Sequence, residues 1–292
     1  MRIDNQTMIT ALDASDRVRY YHWCTDLSLA GNEYKITEIV CFVSDAAQPL
    51  HDFIQVKKYD DGFLLILLYT ENQELIAECM NYVDTVEDAF AEIELRTPYS
   101  SVLHLPIIQS RYTLADPEYP ASPVYYIHAE DQLLSPKTNT EASVSLYRES
   151  DKDEIAKAVS AGALDEESMN ADMFVPCTVF SDVKWYILRV SGEIAGYLRA
   201  ECGYANIYDI GWLYVEPRFR GHGYACDLVM HFSHDLFGNG KIPHYGYAIS
   251  RESARVAEKC GYSCDPTVRN QYRLLPTDKE KRGNQHENSV SR

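Results

Sequence analysis

Residues 218–223 read Arg218-Phe219-Arg220-Gly221-His222-Gly223, between a strand-like run that ends at Val215 and a helix-like run that begins near Tyr224. Glycines at such a junction let the backbone bend sharply and approach an anion with no Cβ in the way. The first turn of the following helix adds N–H groups that have no partner within the helix and point at the same spot. The chemistry such a nest suits is the binding of a pyrophosphate. No Lys-Ser/Thr pair follows and a three-glycine spacing is lacking, so the segment is neither a nucleotide P-loop nor a dinucleotide fingerprint.

With Val215-Glu216-Pro217 in front of it, the segment resembles the R/Q-x-x-G-x-G/A motif of the GCN5-related N-acetyltransferases (GNAT). Downstream, the run from Ile249 to Tyr262, with Ser250, Ser253 and a closing Lys259-Cys260-Gly261-Tyr262, is similar to that family's last helix, which commonly reads Asn-x-x-Ser/Ala and ends in Lys-x-Gly-Phe. The resemblance covers about residues 140–276. It implies acetyl-CoA, or another acyl-CoA, as co-substrate and no metal. The pyrophosphate would lie on the backbone amides of Arg220, Gly221, His222, Gly223, Tyr224 and Ala225, and the pantetheine arm would pair with the strand ending at Val215. Arg218, Arg220, Lys241, Arg251, Arg255 and Lys259 form a basic island along the sequence near this site, in a chain of formal net charge −17. Each of these side chains is otherwise a solvated basic position.

Attack of an amine on a thioester needs the neutral amine. With a pKa near 10, about one part in a thousand is neutral at pH 7, a cost of roughly 4 kcal/mol. A base must therefore take the proton. Counting back from Val215 with period two puts Leu213, Gly211, Asp209 and Ile207 on one strand face, where Asp209 is the sole carboxylate. It also falls where histone-acetylating members of the family carry a glutamate base. A carboxylate on an apolar inward face has a raised pKa, the direction a base requires. Asp209 is thus either the base or a hydrogen-bonded structural aspartate, and Glu201 on the neighbouring strand is the next candidate. By position, the N–H of Leu213 would polarise the thioester carbonyl. The family's usual acid is a tyrosine where this chain has Ala257; Tyr262, Tyr247 and Tyr224 are the substitutes, unless none is required, since a thiolate of pKa about 8.5 leaves tolerably. His222, His231 and His234 lack a cysteine or carboxylate motif that would complete a metal site.

The elements that must position these groups follow from periodicity. Strands are expected over 144–148, 184–190, 194–201, 206–215, 243–249 and about 268–275, with helices from 151, over 224–237 and over 252–259. Residues 140–276 then form a mixed sheet flanked by helices, the α/β GNAT fold. Residues 1–138 are expected to form a divergent α/β domain, with strands at 35–43, 53–57, 63–69 and 124–128 and a helix over 84–95. That half has only Gly31 and Gly62, so it lacks a glycine-rich loop, and it could be a degenerate copy of the same fold. The two-domain layout, with Gly240-Lys241-Ile242-Pro243-His244-Tyr245, is similar to that of glycine N-acyltransferases. Residues 277–292 are polar and read as a tail.

The acidic composition excludes a general nucleic-acid binder and favours a cationic or neutral partner. No run reaches the ~20 apolar residues of a membrane span, and the polar first residues do not read as a secretory signal, so a cytoplasmic protein is expected. The 8 cysteines contain no CxxC pair and read as reduced, packed thiols. The expected activity is transfer of an acetyl or other short acyl group from CoA to a primary amine of a small molecule or peptide. The alternative is a non-catalytic acyl-CoA-binding regulatory module, motivated by Ala257.

Overall fold

The computed structural model describes residues 1–31, 35–45, 52–114, 123–128, 131, 133–134, 139–160, 180, 182–265 and 270–277. They divide into two compact units, Met1–Ser122 with Pro266–Arg292, and Pro123–Asp265. Of the expected tail, 277–292, residues 278–292 lie outside the described residues.

The first unit contains β1 (Arg2–Ile3), α1 (Asn5–Asp16), α2 (Tyr21–Leu29), β2 (Ile36–Val43), β3 (Phe53–Tyr59), β4 (Phe63–Tyr69), α3 (Gln73–Asp84), β5 (Glu92–Thr97), α4 (Pro106–Gln109) and β6 (Tyr112–Leu114). The apolar run of β4 is buried at every position after Phe63 because both faces are covered. Leu64, Ile66 and Leu68 join a core that includes Leu75, Ile76, Cys79, Met80 and Val83 of α3. On the other face Tyr69 and Phe53 meet Trp23 of α2 edge-on, at centroid distances of 4.8 and 5.0 Å.

The helix expected over 84–95 is not there. The helix is α3, which the Asn72 side chain caps and which ends at Asp84. Residues 87–89 make one 3-10 turn, and from Glu92 the chain is a strand with Ile93, Leu95 and Thr97 buried in alternation. The spacing of Val86, Phe90 and Ile93 mimics a helical face across that break.

The second unit contains β7 (Val124–Tyr126), β8 (Ala142–Leu146), α5 (Lys152–Ser160), β9 (Asp182–Val190), β10 (Glu193–Tyr204), β11 (Ile207–Val215), α6 (Tyr224–Gly238), β12 (Ile242–Tyr247), α7 (Arg251–Lys259) and β13 (Ser263–Cys264). A two-residue turn, Ser191 (φ 51°) and Gly192 (φ 88°), joins β9 to β10. Left-handed residues at both positions suit a tight hairpin. Helix α6 buries Leu228, Val229, Phe232 and Leu236 against Leu188, Leu198, Ala200 and Ile210 of the sheet.

The last strand, β14 (Asn270–Pro276), does not finish the second unit as the sequence suggested. It pairs antiparallel with β5 and with β6, so the first sheet runs β1-β2-β3-β4-β5-β14-β6. Conversely β7, expected in the front half, pairs with β12 and β13 in a sheet that runs β8-β9-β10-β11-β12-β7-β13. The two sheets share one plan, and in each the next-to-last place is filled by a strand from the other half of the sequence. Strand propensity specifies a pleated, buried surface but not which sheet receives it.

Candidate functional site

The second sheet opens along its middle. Strands β11 and β12 run parallel and pair only from Ile207↔Ile242 to Asp209↔His244. Beyond that rung β11 stays paired with β10 as far as Val215, while β12 turns to β7. Between the pairs Ala200↔Ile210 and Arg199↔Trp212, β11 carries one extra residue, Gly211, a β-bulge at the point of parting. Further along, Glu216 N–H donates to Ala195 O at 2.9 Å. The alternation of an antiparallel ladder then turns the N–H groups of Val215 and Leu213 away from β10, toward the opening.

At the end of β11 a 3-10 turn (Pro217–Phe219) leads to Gly221 and Gly223, with φ of 84° and 91°. A Cβ at Gly221 would meet nothing within 4 Å, so glycine is needed there for its left-handed backbone rather than for room. Gly223 is the N-cap of α6 and no side chain caps that helix, so its first N–H groups are left for a ligand. In the first unit the matching helix α3 is closed: Asn72 accepts from Glu74 N at 3.0 Å and Leu75 N at 3.2 Å. There β4 and β5 also stay paired over five rungs, from Phe63↔Glu92 to Leu67↔Arg96.

A cavity of about 640 Å³ lies over the uncapped end of α6. Of the residues expected to hold a cofactor, Leu213, Val215, Arg220, Gly221, Gly223, Tyr224 and Ala225 line it from β11, the loop and the start of α6, and Ser250 and Ser253 from the cap and first turn of α7. Ser250 caps α7, its Oγ accepting from Ser253 N at 3.1 Å. Arg255 and Lys259 bring positive charge to the wall; Glu252 brings the one carboxylate. Arg220 is pinned by its Nε, which donates to Val215 O at 2.7 Å. These features fit a pyrophosphate-bearing co-substrate: backbone donors, a helix N-terminus and cations around a space of suitable size.

Other expected members are not brought to the cavity. The Arg218 side chain turns to Glu216 (2.7 Å) and Glu193 (3.0 Å). The His222 side chain is exposed, and its carbonyl accepts from Asn139 Nδ2 at 3.1 Å. Lys241 lies at the far end of β12, where it donates to Tyr208 Oη at 2.7 Å. Arg251 is absent from the lining. Closeness in sequence did not make one island of these charges.

The bulge also corrects the face assigned to Asp209. Leu213, Val215 and Ile210 share the α6 side with Leu198 and Ala200. Asp209 pairs with Glu201, and across the bulge it shares a face with Trp212, which pairs with Arg199. Period-two counting fails because Gly211 is an extra residue. On that face Asp209 Oδ1 lies 2.8 Å from His244 Nδ1. Glu201 forms an ion pair with Arg199. Burial raises the Glu201 carboxyl above its usual value; Arg199 opposes this and the charge of Asp209 adds to it.

Tyr262, the first substitute acid, is a core residue. It is 4% exposed, its hydroxyl lies 2.7 Å from Ser233 Oγ, and burial pushes its pKa up. Ala257 is fully buried. Tyr224 lines the cavity, and Tyr247 is exposed at the end of β12.

Sequence reasoning missed Cys226 and His244. Cys226 also lines the cavity; its thiol is lowered to about 7, chiefly by a hydrogen bond with Cys260, with Lys259 acting in the same direction against burial. A glycine two residues after a histidine, on the strand beside the proposed base, was the available signal for His244.

Residues 145–262 match the model of the acetyltransferase (GNAT) family. Similar solved structures include a GNAT-family acetyltransferase from Colwellia psychrerythraea, 13% identical, TM-score 0.52, covering 95% of this chain and 99% of that one. A GCN5-related N-acetyltransferase from Sphaerobacter thermophilus is 14% identical, TM-score 0.51, covering 94% and 91%. A tandem GNAT protein from the clavulanic acid biosynthesis pathway is 11% identical, TM-score 0.50, covering 94% and 95%. No curated protein matches the sequence. The likeness in fold runs through both units, and the first is a divergent half of GNAT-like fold whose helix α3, unlike α6, is closed by a side-chain cap. Among the described residues no helix is long and apolar enough to cross a membrane.

Proposed function

Since residues 145–262 form an acetyltransferase domain of the GNAT family, we propose that the chain moves an acetyl or other short acyl group from CoA to a primary amine of a small molecule or peptide. One observation carries the reading: the cavity joins an uncapped helix N-terminus to a strand edge whose N–H groups have parted from the neighbouring strand. The first feature suits the pyrophosphate and the second the pantetheine amides. In the reaction the amine nitrogen attacks the thioester carbon, the Leu213 N–H stabilises the oxyanion, and Asp209 receives the amine proton. The thiolate then leaves without a dedicated acid. The net charge of −17 favours a cationic acceptor by steering.

The buried Ala257, in the place of the family's tyrosine, favours the second reading, an acyl-CoA-binding module. Acetyl-CoA incubated with a broad amine panel separates the two through release of free thiol. Acceptor-dependent thiol supports the transferase. Tight CoA binding with no thiol release from any amine would support the module. Within the transferase, Asp209→Asn is expected to lower kcat by about 100-fold or more, with CoA affinity unchanged.

A further inference from the structure

Asp209 stands on the last rung that β11 and β12 share, directly opposite His244, where the strands begin to part. His244 is fully buried, and its Nδ1 lies 2.8 Å from Asp209 Oδ1. The backbone N–H of Gly246 is directed at the same Nδ1, at 3.1 Å. A bare imidazole nitrogen and an ionised carboxylate oxygen at 2.8 Å would repel, so an ionised Asp209 requires the tautomer with its proton on Nδ1, against the pull of the Gly246 N–H on the same nitrogen. The next turn of β12 leaves room for the carboxylate: a Cβ at Gly246, whose φ is +68°, would sit 2.5 Å from Asp209 Oδ1 and 2.8 Å from Oδ2. A glycine at that position is thus required by both backbone and carboxylate.

Resting on the acyltransferase reading above, we propose that His244 is the positioning partner of Asp209, so that the proton acceptor is a carboxylate–imidazole pair and not a lone carboxylate. On β10 the ionisable neighbours are Glu201, paired with Asp209, and Arg199, which neutralises Glu201. Neither replaces the imidazole. Glu201 repels a second negative charge, and Arg199 is engaged by Glu201. A neutral imidazole N–H holds one carboxylate oxygen without adding a positive charge that would weaken the base. In the step itself the ammonium N–H bond breaks, its electron pair stays on nitrogen and the proton goes to the Asp209 carboxylate. The freed pair attacks the thioester carbon, the C–S bond breaks with its electrons on sulfur, and the second proton on nitrogen passes to that thiolate, giving the amide and CoA thiol. Asp209 then returns its proton to solvent, and the imidazole keeps its own proton throughout.

Two measurements on the full chain test this. In nitrogen-15-labelled protein the shared proton is expected as a downfield resonance coupled to His244 Nδ1 and lost in Asp209→Asn. In kinetics, His244→Ala is expected to lower kcat about 30-fold, with the KM for acetyl-CoA within about twofold. His244→Asn, whose amide N–H takes the place of Nδ1, is expected to recover most of that loss, and added imidazole part of it in His244→Ala. Absence of the resonance in wild-type protein, or a folded His244→Ala with unchanged kcat, overturns the pairing. A loss that neither Asn nor imidazole repairs overturns it too, as packing alone. If the resonance is present but wild-type protein transfers no acyl group to any amine, the functional reading fails and takes the role of the pair with it.

Discussion

Gly223 caps α6 with no side chain, at φ 91°, and this single position separates a backbone effect from a charge effect. A Cβ there would touch only Asn139 Nδ2, at 3.6 Å, an ordinary contact. Gly223→Ala therefore costs the left-handed penalty alone, about 1–2 kcal/mol, seen as a lower Tm. Gly223→Asp adds a carboxylate beside the first N–H groups of the helix. If a pyrophosphate binds those groups, the new charge stands about 5 Å from two negative charges. At an effective dielectric of about 40–80, fitting an exposed loop, the repulsion is about 2–3 kcal/mol. That corresponds to a further loss of about 30- to 150-fold in affinity. Calorimetric titration of both variants with CoA, alongside thermal melts, gives the comparison. Equal CoA affinity in the Ala and Asp variants would refute the placing of the pyrophosphate at the start of α6.

Two further outcomes follow from the cavity wall. Lys259→Ala is expected to weaken CoA about 10-fold while leaving turnover of acetyl-pantetheine, which lacks the nucleotide diphosphate, within about twofold; steady-state kinetics with the two donors checks this. Ser250→Ala removes the Oγ that accepts from Ser253 N at 3.1 Å, so the chain should lose about 1 kcal/mol of stability, read as a shift in urea midpoint with the m-value unchanged.

Much of the second unit was legible because its signals are local. The Ser191-Gly192 turn, the glycines before α6 and the helical spacing of Leu228, Phe232 and Leu236 are decided within a few residues of chain. What escaped depends on pairing. Whether Asp209 faces α6 or the opposite side turns on one bulged residue, Gly211, and no count along β11 alone reveals it. The sheet membership of β7 and β14 is a long-range choice between similar edges. Lys241 follows the glycine loop closely in sequence, yet the length of α6 carries it to the other end of the sheet. In the front half the break after Asp84 was hidden because Val86, Phe90 and Ile93 keep an apolar spacing while the backbone changes type.

The place of β14 between β5 and β6 has a consequence for how the chain is made. The front half emerges first from the ribosome, but its sheet cannot close until the strand ending at Pro276 has been synthesised. Until then the edges of β5 and β6 lack the strand that joins them, and such edges are templates for wrong pairing. A nascent chain of this design must hold its first half open through synthesis of the second, so neither half is a self-sufficient unit of folding. Expressing the acetyltransferase half alone as residues 140–276 would remove β7 from its own sheet and strand β14 without one.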